Sequence, residues 1–318
     1  MSGSGLEFEK PIVELEQKII ELKNFSDNRK IDLSDEIVKF EEKLKKLKED
    51  IFGNLSAWQK VQIARHPKRP YTKDYINLIM TDFIELRGDQ LFGDDQAMIC
   101  GLAKIDGQKV MVIGHQKGRD TKENLKRSFG CAHPEGYRKA LRLMRLAERF
   151  KVPIITFIDT PGAYPGIDAE ERGQAGAIAL NIREMSQFRV PIIIVIIGEG
   201  GSGGALGIGV GDRVCMFENS YYSVISPEGC AAILWRNRAN APEAAAALKI
   251  TADDLIKLKI IDEIIPEPLG GAHRDPSIAA AALKTSLKKN LKELLKLPLD
   301  QLVEKRYEKF RNMGTWNE

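Results

Sequence analysis

The spacing of apolar residues changes along the chain. Between Lys10 and Ile51 they recur every three or four positions: Ile12, Leu15, Ile19 and Leu22, then Ile37, Phe40, Leu44, Leu47 and Ile51. Such narrow stripes predict two amphipathic helices. Pro11 suits a first helical turn, Asn24 to Asp32 separates the stripes, Ser34 caps the second helix and Gly53 ends it. Residues 1–53 therefore read as a helical hairpin arm, with 1–5 a flexible start, and the lysines at 43, 45, 46 and 48 as its solvated face.

Beyond residue 54 the pattern shortens. Ala97 to Ile105 and Lys109 to Gly114 predict two strands joined by the hairpin turn Asp106-Gly107. Pro134 to Phe150 returns to helical spacing, with Tyr137, Leu141, Met144 and Ala147 on one face. The run Val190 to Ile197 has no polar alternation, as in a strand buried on both faces. Phe150-Lys-Val-Pro-Ile-Ile and Phe188-Arg-Val-Pro-Ile-Ile form an internal repeat offset by 38 residues, which places Gly162 on Gly200 and Gly166 on Gly204. Each unit is a buried strand, a glycine loop and a helix, and stacked parallel units give an α/β core with the two loops side by side. Arg213 to Phe217, Tyr221 to Ile225 and Ile260 to Ile265 predict further strands, Ser226-Pro-Glu-Gly opens a helix holding Trp235, and C-terminal helices begin at about residue 277.

Composition narrows the class without choosing a function. With 318 residues, 43% hydrophobic and 29% charged, the chain is an ordinary globular protein, and a net charge of +3 is too balanced to mark a nucleic-acid binder. Cys100, Cys131, Cys215 and Cys230 form no Cys-x-x-Cys pair, so buried thiols are expected and no metal site. Neither a signal peptide nor a membrane span is expected, since Val190 to Ile197 is too short to cross a bilayer.

The candidate chemistry gathers at Gly198-Glu-Gly-Gly-Ser-Gly-Gly-Ala-Leu, where glycines let backbone approach a ligand and a helix is expected to start near Ser202. Gly198-x-Gly200-x-x-Gly203 fits a dinucleotide fingerprint with Glu218 as the ribose acid, and Gly200-x-Ser202-x-Gly204 fits a nucleophile elbow with His273 downstream. A tight, closely packed turn explains the same glycines. Two basic segments are candidate phosphate or partner sites: the loop Arg65 to Pro70, equally readable as a solvated loop, and Gly114 to Gly130 with Lys117, Arg119, Lys122, Lys126 and Arg127. His115 and His133 flank the second.

Taken in order, several segments resemble the alpha subunits of the bacterial acetyl-CoA carboxylase carboxyltransferase: Ala64-Arg-His-Pro-x-Arg-Pro-Tyr-Thr, Gly114-His-Gln-Lys-Gly-Arg, Pro134-Glu-Gly-Tyr-Arg-Lys-Ala-Leu-Arg-Leu-Met, Thr156-Phe-Ile-Asp-Thr-Pro-Gly-Ala-Tyr-Pro-Gly, the central glycine loop and Ser226-Pro-Glu-Gly-Cys. The resemblance covers essentially everything after Gly5. It implies a crotonase (ClpP-like) superfamily spiral of ββα units over residues 54–318. It also implies cytoplasmic transfer of a carboxyl group from carboxybiotin to acetyl-CoA, giving malonyl-CoA for fatty-acid synthesis. The implied partners are a carboxyltransferase beta subunit in an α2β2 assembly, the biotin carboxyl carrier protein that bears the biotin, and biotin carboxylase. Zinc is implied on the beta subunit only. Gly203 and Gly204 match the family's backbone oxyanion hole for the biotin ureido oxygen, and a Cβ at Gly204 is expected to project toward the ureido ring or the helix start. Gly200, Gly201, Gly162, Tyr164, Gly166, Lys117 and Arg119 are the further substrate-binding candidates.

Overall fold

The computed structural model describes residues 6–29 and 32–314, so the expectation for residues 1–5 lies outside the described residues. Helices Lys10–Arg29 and Ser34–Phe52 pack as a hairpin. The first runs through most of the stretch expected to separate them, because neither glycine nor proline interrupts it after Pro11. Ile12 and Ile19 are buried, whereas nothing on the second helix is. The hairpin is joined to the rest of the chain beside its start: Arg274 donates to the buried Glu9 carboxylate at 3.2 Å.

Among the described residues eight strands make one mixed sheet: β1 (Thr81–Glu85), β2 (Met98–Ile105), β3 (Gln108–His115), β4 (Ile154–Thr160), β5 (Ile192–Gly201), β6 (Arg213–Phe217), β7 (Tyr221–Ser223) and β8 (Glu263–Ile265). The order is β1-β2-β3-β4-β5-β6-β8, with β7 pairing the far end of β5. β1, β2 and β3 are antiparallel neighbours, and the turn between β2 and β3 holds Asp106 at φ 45° and Gly107 at φ 83°, as a two-residue hairpin turn of this type demands. From β3 onward all pairings are parallel. β1 escapes a pattern-based reading because it is a half-exposed edge strand without a regular alternation.

β5 shows why its apolar run has no alternation. Ile192, Ile194 and Ile196 enter one core layer beneath helices Pro134–Arg149 and Gln174–Gln187, while Ile193, Val195 and Ile197 enter the opposite layer under helix Pro276–Leu294. The internal repeat becomes a register: Ile154 pairs Ile192, Ile155 pairs Ile193 and Ile158 pairs Ile196, each keeping the sequence offset of 38. Past Ile158 the pairing slips, so that Thr160 meets Gly200 at the roots of the two glycine loops.

Candidate active site at the paired glycine loops

The central glycines divide between two roles. Gly198, Gly200 and Gly201 belong to β5, and Gly200 and Gly201 are paired with β7 through Tyr222 and Ser223. A Cβ on Gly200 would meet Tyr222 at 2.7 Å, and one on Gly201 would strike the Pro161 carbonyl. These glycines are required by packing. Gly203 and Gly204 instead lie in the first turn of the short helix Ser202–Leu206, where N–H groups have no partner four residues back. Neither N–H donates to another described group outside the helix.

The two loops do lie side by side. A Cβ on Gly204 would stand 2.5 Å from the Ala163 nitrogen and 2.8 Å from the Gly162 oxygen. It would thus point at the sister loop, correcting the expectation that it faces the ureido ring or its own helix start. Gly203 is open, with Ile178 Cδ1 at 3.9 Å from its virtual Cβ, and it lines an apolar cavity of about 330 Å³. Gly162 meets nothing within 4 Å, while a Cβ on Gly166 would collide with the ring of Tyr164. Tyr164 itself stacks on His133 with ring centroids 4.0 Å apart.

Beneath the loops sits a buried ion cluster that the sequence reading did not anticipate. Lys117 Nζ donates to Asp159 at 2.7 Å and to Glu199 at 2.6 Å, and Asp159 also accepts the Glu199 N–H at 3.0 Å. Arg65 and the Tyr221 hydroxyl donate to the other oxygen of Glu199, and Arg65 also pairs with Glu228. Burial disfavours the charged carboxylate of Glu199, but Lys117 and Arg65 outweigh it and hold its pKa at about 2. Lys117 is likewise raised above its ordinary value: burial opposes its charge, and Asp159 and Glu199 prevail.

This placement revises both basic segments. Arg69 is fully buried, pairs with Glu267, and donates to the Ile197 carbonyl at 2.7 Å. Arg65 and Arg69 are therefore neither a solvated loop nor a free phosphate grip. Arg119 pairs with Asp74, lies over the Tyr71 ring, and donates to the carbonyls of Pro67 and Arg69. Acids distant in sequence neutralise these cations, a pairing that local composition cannot reveal.

The other motif readings can be placed as well. Ser202 adopts a positive φ of 51°, as an elbow serine would, but its hydroxyl makes no hydrogen bond among the described residues. His273 stacks on His66 with centroids 3.9 Å apart and faces Glu9, so no histidine serves Ser202. Donor atoms of Glu9, His66 and His273 come within 4.8 Å of one another, yet near-parallel stacked rings cannot both aim an in-plane lone pair at one ion. His115 is buried, and burial and then Lys117 push its pKa down to about 3, leaving it neutral. Glu218 does follow β6, the neighbour of β5, but it accepts the Glu267 N–H, and Gly198 and Gly200 of the fingerprint are fixed as strand rather than as a phosphate-binding loop. All four cysteines are free, with Cys131 half-buried and the others buried.

Residues 5–314 match the family described as acetyl co-enzyme A carboxylase carboxyltransferase-like. The chain belongs to this family. It is 63% identical over 313 residues to the acetyl-coenzyme A carboxylase carboxyl transferase subunit alpha of Geobacter metallireducens, covering 98% of each chain. The corresponding subunit of Methylococcus capsulatus is 60% identical over 313 residues, again covering 98% of both. Among solved structures, a transcarboxylase 12S chain with methylmalonyl-coenzyme A bound superposes with a TM-score of 0.57 at 20% identity over 71% of this chain. This chain spans only 42% of that one. A Pseudomonas malonate decarboxylase hetero-tetramer in complex with coenzyme A gives 0.56 at 18% identity, covering 68% of this chain and 86% of that one. These likenesses carry the fold, which is the crotonase type that the family resemblance implied. No helix among the described residues is long and apolar enough to cross a membrane.

Proposed function

We propose that this chain is the alpha half of an acetyl-CoA carboxylase carboxyltransferase, moving a carboxyl group from carboxybiotin to acetyl-CoA to form malonyl-CoA for fatty-acid synthesis. The observation that carries the reading is near-full-length identity to subunits of that name, at 63% and 60%. When bound, carboxybiotin would supply the carboxyl group by cleavage of its N–carboxyl bond, with charge developing on the ureido oxygen, and its ureido nitrogen would take up the methyl proton that acetyl-CoA gives up as it gains the carboxyl carbon. What the protein must add is fixed N–H donors aimed at that oxygen. In this reading Gly203, on the wall of the apolar cavity, and the adjoining Gly204 supply two such donors, and the ion cluster of Lys117, Asp159 and Glu199 keeps the two loops in register.

In this reading Gly203 and Gly204 touch the donor, Gly162, Gly166 and Tyr164 shape the facing loop, and Gly200 and Gly201 hold the turn. Lys117 and Arg119 act on substrate only through the backbone they brace. A beta subunit, in an α2β2 assembly and carrying the zinc, completes the acetyl-CoA side. The biotin carboxyl carrier protein presents carboxybiotin after biotin carboxylase has charged it, all in the cytoplasm. The helical hairpin of residues 1–53 serves association, and residues 54–318 the chemistry. The test is co-purification with a beta subunit followed by assay of malonyl-CoA formation from carboxylated carrier. Absence of a stable complex, or a complex without acetyl-CoA carboxylation, defeats the proposal.

A further inference from the structure

The apolar cavity at Gly203 is walled partly by a segment a hundred residues downstream. Ser202, Gly203 and Leu206 form one side, Tyr222 of β7 and Val224 just after it contribute a second, and Phe310 and Met313 close the other side from the end of helix Leu299–Arg311. No charged side chain lines the cavity. That excludes the phosphates of a CoA nucleotide as its occupant and favours an uncharged, largely apolar ring.

The terminal helix is held rigidly where it meets the cavity. Arg306 is fully buried and donates to both oxygens of Asp212, at 2.9 and 2.8 Å, and to the carbonyls of Met185, Phe188 and Val190 at 2.7 to 3.0 Å. Phe310 stands four residues on, one turn along the same helix face. Lys309 pairs with Asp262, giving that turn a second anchor. The aromatic wall is thus fixed to the approach of β5, the strand that carries the glycine loop, and to Asp212 at the head of β6, which bonds Ile192 where β5 begins.

We propose that Phe310 and Met313 are specificity-determining residues for the carboxyl donor: they form the apolar wall against which the uncharged bicyclic ring of biotin packs while its ureido oxygen meets the glycine amides. This rests on the carboxyltransferase reading above. It assigns the terminal helix a part in substrate choice beyond its part in packing.

The test uses the complex assembled with its beta subunit and run in reverse, with free biotin accepting the carboxyl group from malonyl-CoA. Phe310→Ala is expected to raise the KM for free biotin about tenfold, with the KM for malonyl-CoA within twofold of the parent. Phe310→Leu, which keeps most of the apolar surface, is expected to restore the KM for biotin to within about threefold. Because Phe310 also packs on the core, Met313→Ala beyond the helix end serves as a second variant, with a rise of about threefold in the same KM. An unchanged KM for biotin in folded, assembled Phe310→Ala and Met313→Ala complexes overturns the proposal. So does a rise confined to the KM for malonyl-CoA, or weakened assembly with an unchanged KM for biotin at saturating beta subunit, which would make this face a subunit contact. If Gly204→Ala keeps full turnover while Phe310→Ala still raises the KM for biotin, the glycine assignment fails and the cavity assignment stands.

Discussion

Gly204 offers the sharpest test of the site because its surroundings allow the perturbation to be sized. A methyl group there begins 2.5 Å from the Ala163 nitrogen and 2.8 Å from the Gly162 oxygen, whereas comfortable contact needs about 3.5 Å. About 1 Å must be found between the loops. The Gly162 side is braced by the Thr160 hydroxyl, which donates to the Gly162 oxygen at 2.7 Å and accepts its N–H at 3.1 Å. The helix start therefore gives way, and with it the amides aimed at the donor. A misplacement of 1 Å costs about a hundredfold in rate, and complete loss of one oxyanion donor about 10²–10³-fold, or roughly 3–4 kcal/mol. Overpacking is expected to lower stability by about 1–3 kcal/mol, short of unfolding the chain. Gly203→Ala is the control for folding, because its methyl reaches only Ile178 at 3.9 Å and the melting temperature should not move. Thermal melting and complex formation are measured beside carboxylation of acetyl-CoA. A folded, assembled Gly204→Ala variant turning over within threefold of the parent would refute the placement of the hole on this loop.

Lys117→Met leaves Asp159 and Glu199 buried without their shared cation, and a loss of about 3–5 kcal/mol in unfolding free energy is expected. A stable variant with a raised KM for acetyl-CoA would instead make Lys117 a phosphate ligand. Ser202→Ala retains the backbone amides, so carboxyl transfer should stay within about tenfold, equivalent to about 1.4 kcal/mol; covalent labelling of Ser202 by a fluorophosphonate would contradict this. Glu199 has a folded pKa of about 2 against an ordinary 4.5, so its contribution to stability is fully present above pH 4.5 and fades as pH falls toward 2. Glu199→Gln should flatten that acid limb in chemical denaturation measured from pH 6 to pH 3, and an unaltered slope would mean the cluster does not govern it.

The chain alone determined most of the frame, for local reasons. A strand buried on both faces must be apolar throughout, so β5 stands out in the sequence, and the 38-residue repeat survives as the pairing of Ile154 with Ile192 because parallel neighbours built alike align alike. The hairpin at Asp106-Gly107 is equally local, since few other residues tolerate its backbone. What the tertiary structure alone decided is partnership. Lys117 and Arg65 look like exposed cations until β4 and β5 bring up Asp159 and Glu199, and Arg69 until Glu267 arrives from nearly two hundred residues away. Likewise Gly204 and Gly200 are the same letter in one loop, yet one abuts the sister loop and the other Tyr222. Phe310 carries no mark of a cavity wall in its own helix. A side chain's charge and shape are written in its position, but the groups that neutralise or enclose it are set by which distant segments the sheet places beside it.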